Sequence, residues 1–379
     1  MKVFIQSMYE KLEPYEPCPI HPQNKFKFCC YRTAREASKT QNSSMSITNG
    51  QMNAMLRKRW QDTDYKYCFG EGISPCSGPL IRAHSIQNNR ILDRICVDNH
   101  VYRLEPIVEN DFAVKLKKIG RNQASTFFGF CNDHDTKIFL PIEVKDYACT
   151  SQQDFLFAFR ALTLETHMKK RQMDNVINIF KEFPNKLLDP FFVRMYRVAL
   201  SDYRDYENDF ELLESSYIKN DFGLFNTFFH QLDYEVPFAT CATFAIQHDL
   251  DGKEINEIHN IDPSVKIAPV FVNIYPILGR SNIIISHLAR DNHIYTDYFN
   301  QLRLLKEEQL VRYLNALLVH STENIFFSPK LIDSMTSEAR SALERSFLVS
   351  THPDVGLELL VQGDLFNFDL FQPVLGPPL

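Results

Sequence analysis

The placement of cysteine and histidine constrains this chain more than any other feature. Nine cysteines stand at positions 18, 29, 30, 68, 76, 96, 131, 149 and 241. Six of them gather with histidines into two sets. The first is Cys18, His21, Cys29 and Cys30 in PCPIHPQNKFKFCC; the second is Cys68, Cys76, Cys131 and His134. Thiolate and imidazole are the donors that zinc prefers, and four of them close a tetrahedron. In a long chain, an odd number of clustered cysteines reads as metal ligands or buried thiols before it reads as disulfides. The expectation is structural Zn2+ at one or two sites. Cys96 and Cys149 read as small buried hydrophobes, and Cys241, in the apolar run ATCATFAIQHD, as a strand core residue.

The rest of the chain can bury more than one core. It has 379 residues, 44% hydrophobic, with 31 Phe and 16 Tyr but only 12 Gly. That composition belongs to packed globular chains and excludes disordered and repetitive ones. No stretch approaches the ~20 apolar residues of a membrane span. The start, MKVFIQSMYEKLEPYEP, lacks the apolar core of a secretory signal, so a cytoplasmic location without membrane association is expected. Charge is uneven. Residues 1–122 carry 19 Lys and Arg against 12 Asp and Glu, a net +7, and the remainder 22 against 35, a net −13. The cysteine-rich part is the basic part, which suits a nucleic-acid partner.

An α+β, multidomain fold is expected. It comprises a zinc module at 1–35, a polar linker at 36–59, a zinc-bound unit at 60–149, a helical segment at 150–235 and an α/β domain at 236–350. A tail at 351–379 has four acids and no Lys or Arg, and reads as a docked arm or a protein-binding peptide. Phe155, Phe159 and Leu162 recur at helical spacing, as do Tyr206, Phe210, Leu213 and Tyr217. After Pro237 the runs FATCATF, KIAPVFVNIYPI and NIIISHL are β-branched and aromatic, parted by the turn signals DGK and GRSN, which predicts antiparallel strands. Leu302 to Val319 and Ser337 to Leu348 return to helical patterns.

The first set resembles the SEC-C motif, a small zinc module of usual pattern CPCGSGKKFKKCC. The opening Cys-Pro and the closing FKFCC match, while His21 stands one position later than the usual cysteine and the Gly-Ser-Gly turn is missing. The resemblance implies an accessory zinc module that binds protein or nucleic acid and does not catalyse.

The second set resembles the HNH nuclease layout, a treble clef in which a ligand pair precedes a strand ending in histidine and a second knuckle follows at a helix. Here Cys68 and Cys76 precede LIRAHSI, and Cys131-x-x-His134 follows. The resemblance implies that His84 is the general base, Asn122 or Asn132 the orienting residue, and His134 or Asp135 a ligand of catalytic Mg2+ or Mn2+. It implies a phosphodiester hydrolase acting on DNA or RNA, with genome defence as one context. Histidine suits a base working near neutral pH. Arg82, Arg90, Arg94, Lys115, Lys117, Lys118 and Arg121 are the residues that would grip the phosphate backbone. Ala83 stands where the family usually has Asp, and the stretch between His84 and Cys131 is long.

A second reading stays open. His84 would be a hydrogen-bonded core histidine, the basic cluster a solvated loop, and the protein a non-catalytic zinc adaptor for nucleic acid or a protein partner. Neither a Walker loop nor a GxGxxG is present, so nucleotide hydrolysis and dinucleotide binding have no support.

Overall fold

A computed structural model describes residues 11–40, 48–109, 111–258, 260, 262, 264–349 and 366–373. The chain is α+β with antiparallel sheets and forms two compact units. Unit 1 joins residues 1–65, 166–209 and 260–266; unit 2 joins 66–165, 210–259 and 267–379.

Unit 1 contains the first Cys/His loop, helix α1 (Tyr31–Thr40), helix α2 (Asn49–Asp62), the C-terminal part of α4 (Ser151–Glu182) and most of α5 (Pro190–Ile218). Cys18, Phe26, Ala34, Val176, Phe180 and Leu187 form its core. The segment read as a linker holds α2. Thr48 and Gln51 form a reciprocal capping box at its start, each side chain satisfying the other's backbone N–H.

Unit 2 is built on a seven-stranded sheet of order β3-β2-β9-β6-β7-β8-β5, antiparallel throughout. The strands are β2 (His100–Val108), β3 (Phe112–Gly120), β5 (Phe225–Leu232), β6 (Phe238–Phe244), β7 (Val270–Ile277), β8 (Arg280–Leu288) and β9 (Ile325–Phe327). Every residue of β6 is buried, and nearly every one of β7 and β8. That is why these strands read as continuous apolar runs instead of alternating ones. Leu278 and Gly279, both at positive φ, close the β7–β8 hairpin where GRSN signals a turn.

Helices α6 (Asn292–Leu304), α7 (Glu307–Ser321), α8 (Pro329–Ser334) and α9 (Ser337–Val349) complete the layer; Tyr295, Tyr298, Phe299, Leu314, Leu318, Ile332 and Leu343 join the sheet core. The single pattern from Leu302 to Val319 is two helices, parted at Leu305, which is extended. Part of the tail is a docked arm. Leu370 and Phe371 are buried in this core, and Asn315 hydrogen-bonds the backbone of both Phe368 and Leu370. Residues 351–365 and 374–379 of the tail lie outside the described residues. No described helix is long and apolar enough to cross a membrane.

A second, two-stranded sheet in unit 2 pairs β1 (Leu80–His84) with β4 (Thr126–Cys131), followed at once by helix α3 (Asn132–Glu143). Between the registers Ile81↔Phe130 and Ala83↔Phe127 the β4 side has one more residue, a bulge that bends the pair.

Candidate metal centres

Each metal set closes on the start of a helix. In unit 1, two successive turns present the first pair: His21 N–H donates to the Cys18 carbonyl, and Asn24 N–H to that of His21. Cys18 N–H donates back to the Asn24 carbonyl and closes the loop. Phe26–Phe28 makes one 3-10 turn, and Cys29 and Cys30 then lead into α1, where Ala34 N–H bonds the Cys30 carbonyl. His21 Nδ1 lies 3.1 Å from Cys29 Sγ and 3.7 Å from Cys30 Sγ, and the two sulfurs are 3.6 Å apart.

In unit 2 the knuckle Cys68–Cys76 runs beside β4, with Phe69 N–H bonding the Gly129 carbonyl, and Cys131 caps α3. His134 Nδ1 is 3.2 Å from Cys68 Sγ, 3.2 Å from Cys131 Sγ and 3.8 Å from Cys76 Sγ. In both sets all four donor atoms lie within 4.8 Å of one another. Tetrahedral bonds of ~2.3 Å to sulfur and ~2.0 Å to nitrogen place donors ~3.5–3.8 Å apart, so both sets match the spacing zinc requires.

The donors are prepared for a cation. Without one, burial and then the neighbouring thiols Cys18 and Cys29 push the Cys30 thiol far up. Burial and Cys68 push Cys76 up to about 12. Crowded thiols resist ionising together unless a cation neutralises them. Placing both sets at helix N-termini adds the favourable end of the helix dipole. With Nδ1 facing the thiols, the His134 ring carries its proton on Nε2, which donates to Ser74 Oγ at 2.8 Å. Such an outer partner fixes the ring's tautomer and orientation. Gly70 is required here: a Cβ on it would stand 2.5 Å from His134 Cγ. Zinc therefore fits both sets, each a closed three-cysteine, one-histidine site of the structural kind.

The residues assigned to phosphodiester chemistry are less united. His84 ends β1, half-buried, with Nδ1 3.3 Å from Ser125 Oγ. Burial lowers its pKa, a hydrogen bond to the Ala124 backbone opposes this, and the charges of Arg160 and Glu143 act on it in opposite senses. Ser125, at φ 56°, uses its hydroxyl on the backbone of Ile86 and its carbonyl on Ser85, so the end of β1 is clamped. Asn122 accepts from the Asn88 amide, and Asn132 sits exposed at the first position of α3. Asp135, one helical face along from His134, has a buried Oδ1 without a hydrogen-bond partner, and burial pushes its carboxyl up to about 6.

Glu143 lies on the same face of α3 as Asp135 and Phe139, two turns on. Its carboxylate is held at 2.5 Å by Arg160, whose side chain is 5% exposed and whose guanidinium lies 4.1 Å over the Phe139 ring. Arg160 and Glu143 reach both His84 and Asp135 electrostatically. Sequence reasoning missed this pair, because residues on different helices leave no spacing signal. It missed Ser74 and Ser125 because turn residues that meet a partner 60 or 41 positions away leave no spacing signal either.

The seven basic residues do not form a bare cationic strip. Arg90 pairs with Asp146, Arg94 with Glu235, Lys115 with Glu344, Lys117 with Glu105 and Arg121 with Asp93. Arg82 lies over the Phe128 ring and Lys118 over that of Tyr102. The three lysines lie on β3, not in a loop. Among the other cysteines, Cys241 is a core residue as expected. Cys149 is exposed at φ 53° and Cys96 only partly covered, its thiol donating to the Asp93 carbonyl; neither is the buried hydrophobe expected, because both lie in connections outside the cores. Comparison with protein-family models, with curated proteins and with solved structures finds no match to this chain.

Proposed function

We propose that the chain is a zinc-stabilised binding scaffold, with two structural zinc ions and with His84 a positioned structural histidine instead of a general base. One observation carries this reading. The buried guanidinium of Arg160 is bonded to Glu143 and sits in the field of both His84 and Asp135, where a metal-dependent nuclease needs its divalent cation. The local carboxylates are already compensated by a fixed positive charge, which lowers the gain from a Mg2+ or Mn2+ ion. The pairing of most candidate phosphate-binding residues with acids points the same way.

A second reading has one specific observation in its favour. The order of knuckle, strand ending in His84, partner strand and Cys131-capped helix is that of the HNH-like treble clef. Under it, the neutral His84 imidazole would take the proton from the attacking water.

The experiment is cleavage of plasmid, single-stranded DNA and RNA by the zinc-loaded chain with Mg2+ or Mn2+, beside His84→Ala at equal zinc content. No cutting by either protein is expected. Cutting by the wild type that disappears in His84→Ala would replace the scaffold reading with the nuclease.

A further inference from the structure

We infer that the first zinc module is a docking surface for single-stranded nucleic acid, built on Tyr15 and Phe28 and gripped by Lys25 and Lys27. This deepens the scaffold reading, on which it rests, by naming the partner and the surface. The segment Lys25-Phe26-Lys27-Phe28 divides its side chains sharply. Phe26 is 1% exposed and fills the core of the module, while Phe28 is 73% exposed. Tyr15, 58% exposed, meets Phe28 edge to face at 6.1 Å. Two large rings left in water beside a small, well-filled core are not needed to hold that core.

The surroundings of these rings are cationic. The Lys25 and Lys27 ammonium groups lie 5.5 and 5.1 Å from the Tyr15 ring centroid, and Lys27 also donates to the Tyr15 hydroxyl at 3.2 Å. Among the described residues no carboxylate pairs with either lysine. Residues 11–40 hold six Lys and Arg against three Asp and Glu. Two of those acids are engaged elsewhere, Glu16 by Arg197 and Glu36 by Arg32. Exposed aromatic rings bracketed by ammonium groups that no carboxylate neutralises are what successive bases and their phosphates require. Duplex bases are stacked on one another and cannot reach such rings, so the fit is to a single strand. The zinc fixes the surface: Cys29 follows Phe28 directly, and Cys18 N–H closes the loop that carries Lys25.

The test is fluorescence anisotropy of the zinc-loaded full chain with 20-nucleotide oligo-dT, oligo-U and a duplex of equal length. Preference for a single strand is expected, and the tighter of oligo-dT and oligo-U identifies the nucleic acid class. Tyr15→Ala and Phe28→Ala should each weaken binding on the order of tenfold at unchanged zinc content. Tyr15→Phe and Phe28→Tyr should keep it. Lys25→Ala with Lys27→Ala should reduce the slope of log affinity against log salt by about 1.4, that of two phosphate contacts on a single strand. Single-strand binding that survives the double alanine variant of the rings overturns this surface while leaving the scaffold reading intact. So does equal affinity for the duplex, or binding to anionic lipid vesicles but not to oligonucleotides. Cleavage of the oligonucleotides with these ring effects intact would instead defeat the scaffold reading and support the surface.

Discussion

Gly70 offers the sharpest test of the second metal centre, because it changes no ligand. In Gly70→Ala the new methyl would stand 2.5 Å from His134 Cγ and 2.8 Å from both its Cβ and Nδ1. Ordinary carbon contacts begin near ~3.5 Å, so the ring or the knuckle must retreat by about 1 Å. His134 is 2% exposed and stands in the first turn of α3, which leaves the ring little room to retreat. A metal site tolerates only about 0.2 Å of drift in a ligand distance. The substitution should therefore weaken zinc at this site by at least ~100-fold, or about 2.8 kcal/mol, the upper range for losing an outer partner. Gly72, two residues on, is the control: the nearest atoms to its added methyl would be those of the Glu214 carboxylate, the far end of a flexible side chain. Metal content by mass spectrometry and a thermal melt read the result. Wild type and Gly72→Ala should hold two zinc ions per chain. Gly70→Ala should hold one after dialysis, and melt roughly 5–10 °C lower. Two ions and an unchanged melt in Gly70→Ala, or equal damage in Gly72→Ala, would refute the assignment of His134 as a ligand in this packing.

Three further outcomes follow from the same structure. His167 is fully buried, its ring is stacked on Tyr65 at 4.4 Å, and burial lowers its pKa to about 4. The unfolded chain then binds the proton more readily, so stability falls as pH drops from about 6.5 to about 4, by up to about 3 kcal/mol; a pH series of denaturant melts should lose that component in His167→Gln. Arg160→Met leaves the Glu143 carboxylate without its partner and should cost about 3 kcal/mol, whereas adding Glu143→Gln should recover much of it; chemical denaturation of the three proteins measures both. Cys241→Ala should leave two zinc ions bound and cost about 1 kcal/mol, since Cys241 is a core residue outside both sets; metal analysis with a melt checks it.

The two candidate metal sets were legible because their chemistry is written in residue type and short spacing. Cys18 to Cys30 is one loop, and Cys131-x-x-His134 is one helical turn, so local geometry nearly fixes the donors. Long helices and buried strands were legible for a similar reason: Phe155, Phe159 and Leu162 mark a helical face, and the continuous runs of β6 to β8 mark strands covered on both sides. Element boundaries were less legible, as the division at Leu305 and the helix Asn49–Asp62, which starts on a single Thr48–Gln51 capping box within an expected linker, illustrate.

The sequence by itself determined two zinc-competent donor sets and an α+β chain with antiparallel strands, because ligand spacing and hydrophobic period are local properties. Only the tertiary structure decided what surrounds them. It placed Arg160, from a different helix, against Glu143 and within the field of His84, and it paired Lys115 of β3 with Glu344, far away in sequence. It also turned Phe26 inward and Phe28 outward from one short motif. Charge compensation and exposure depend on which distant groups the fold brings together, and such groups leave no periodic or spacing signal in the sequence.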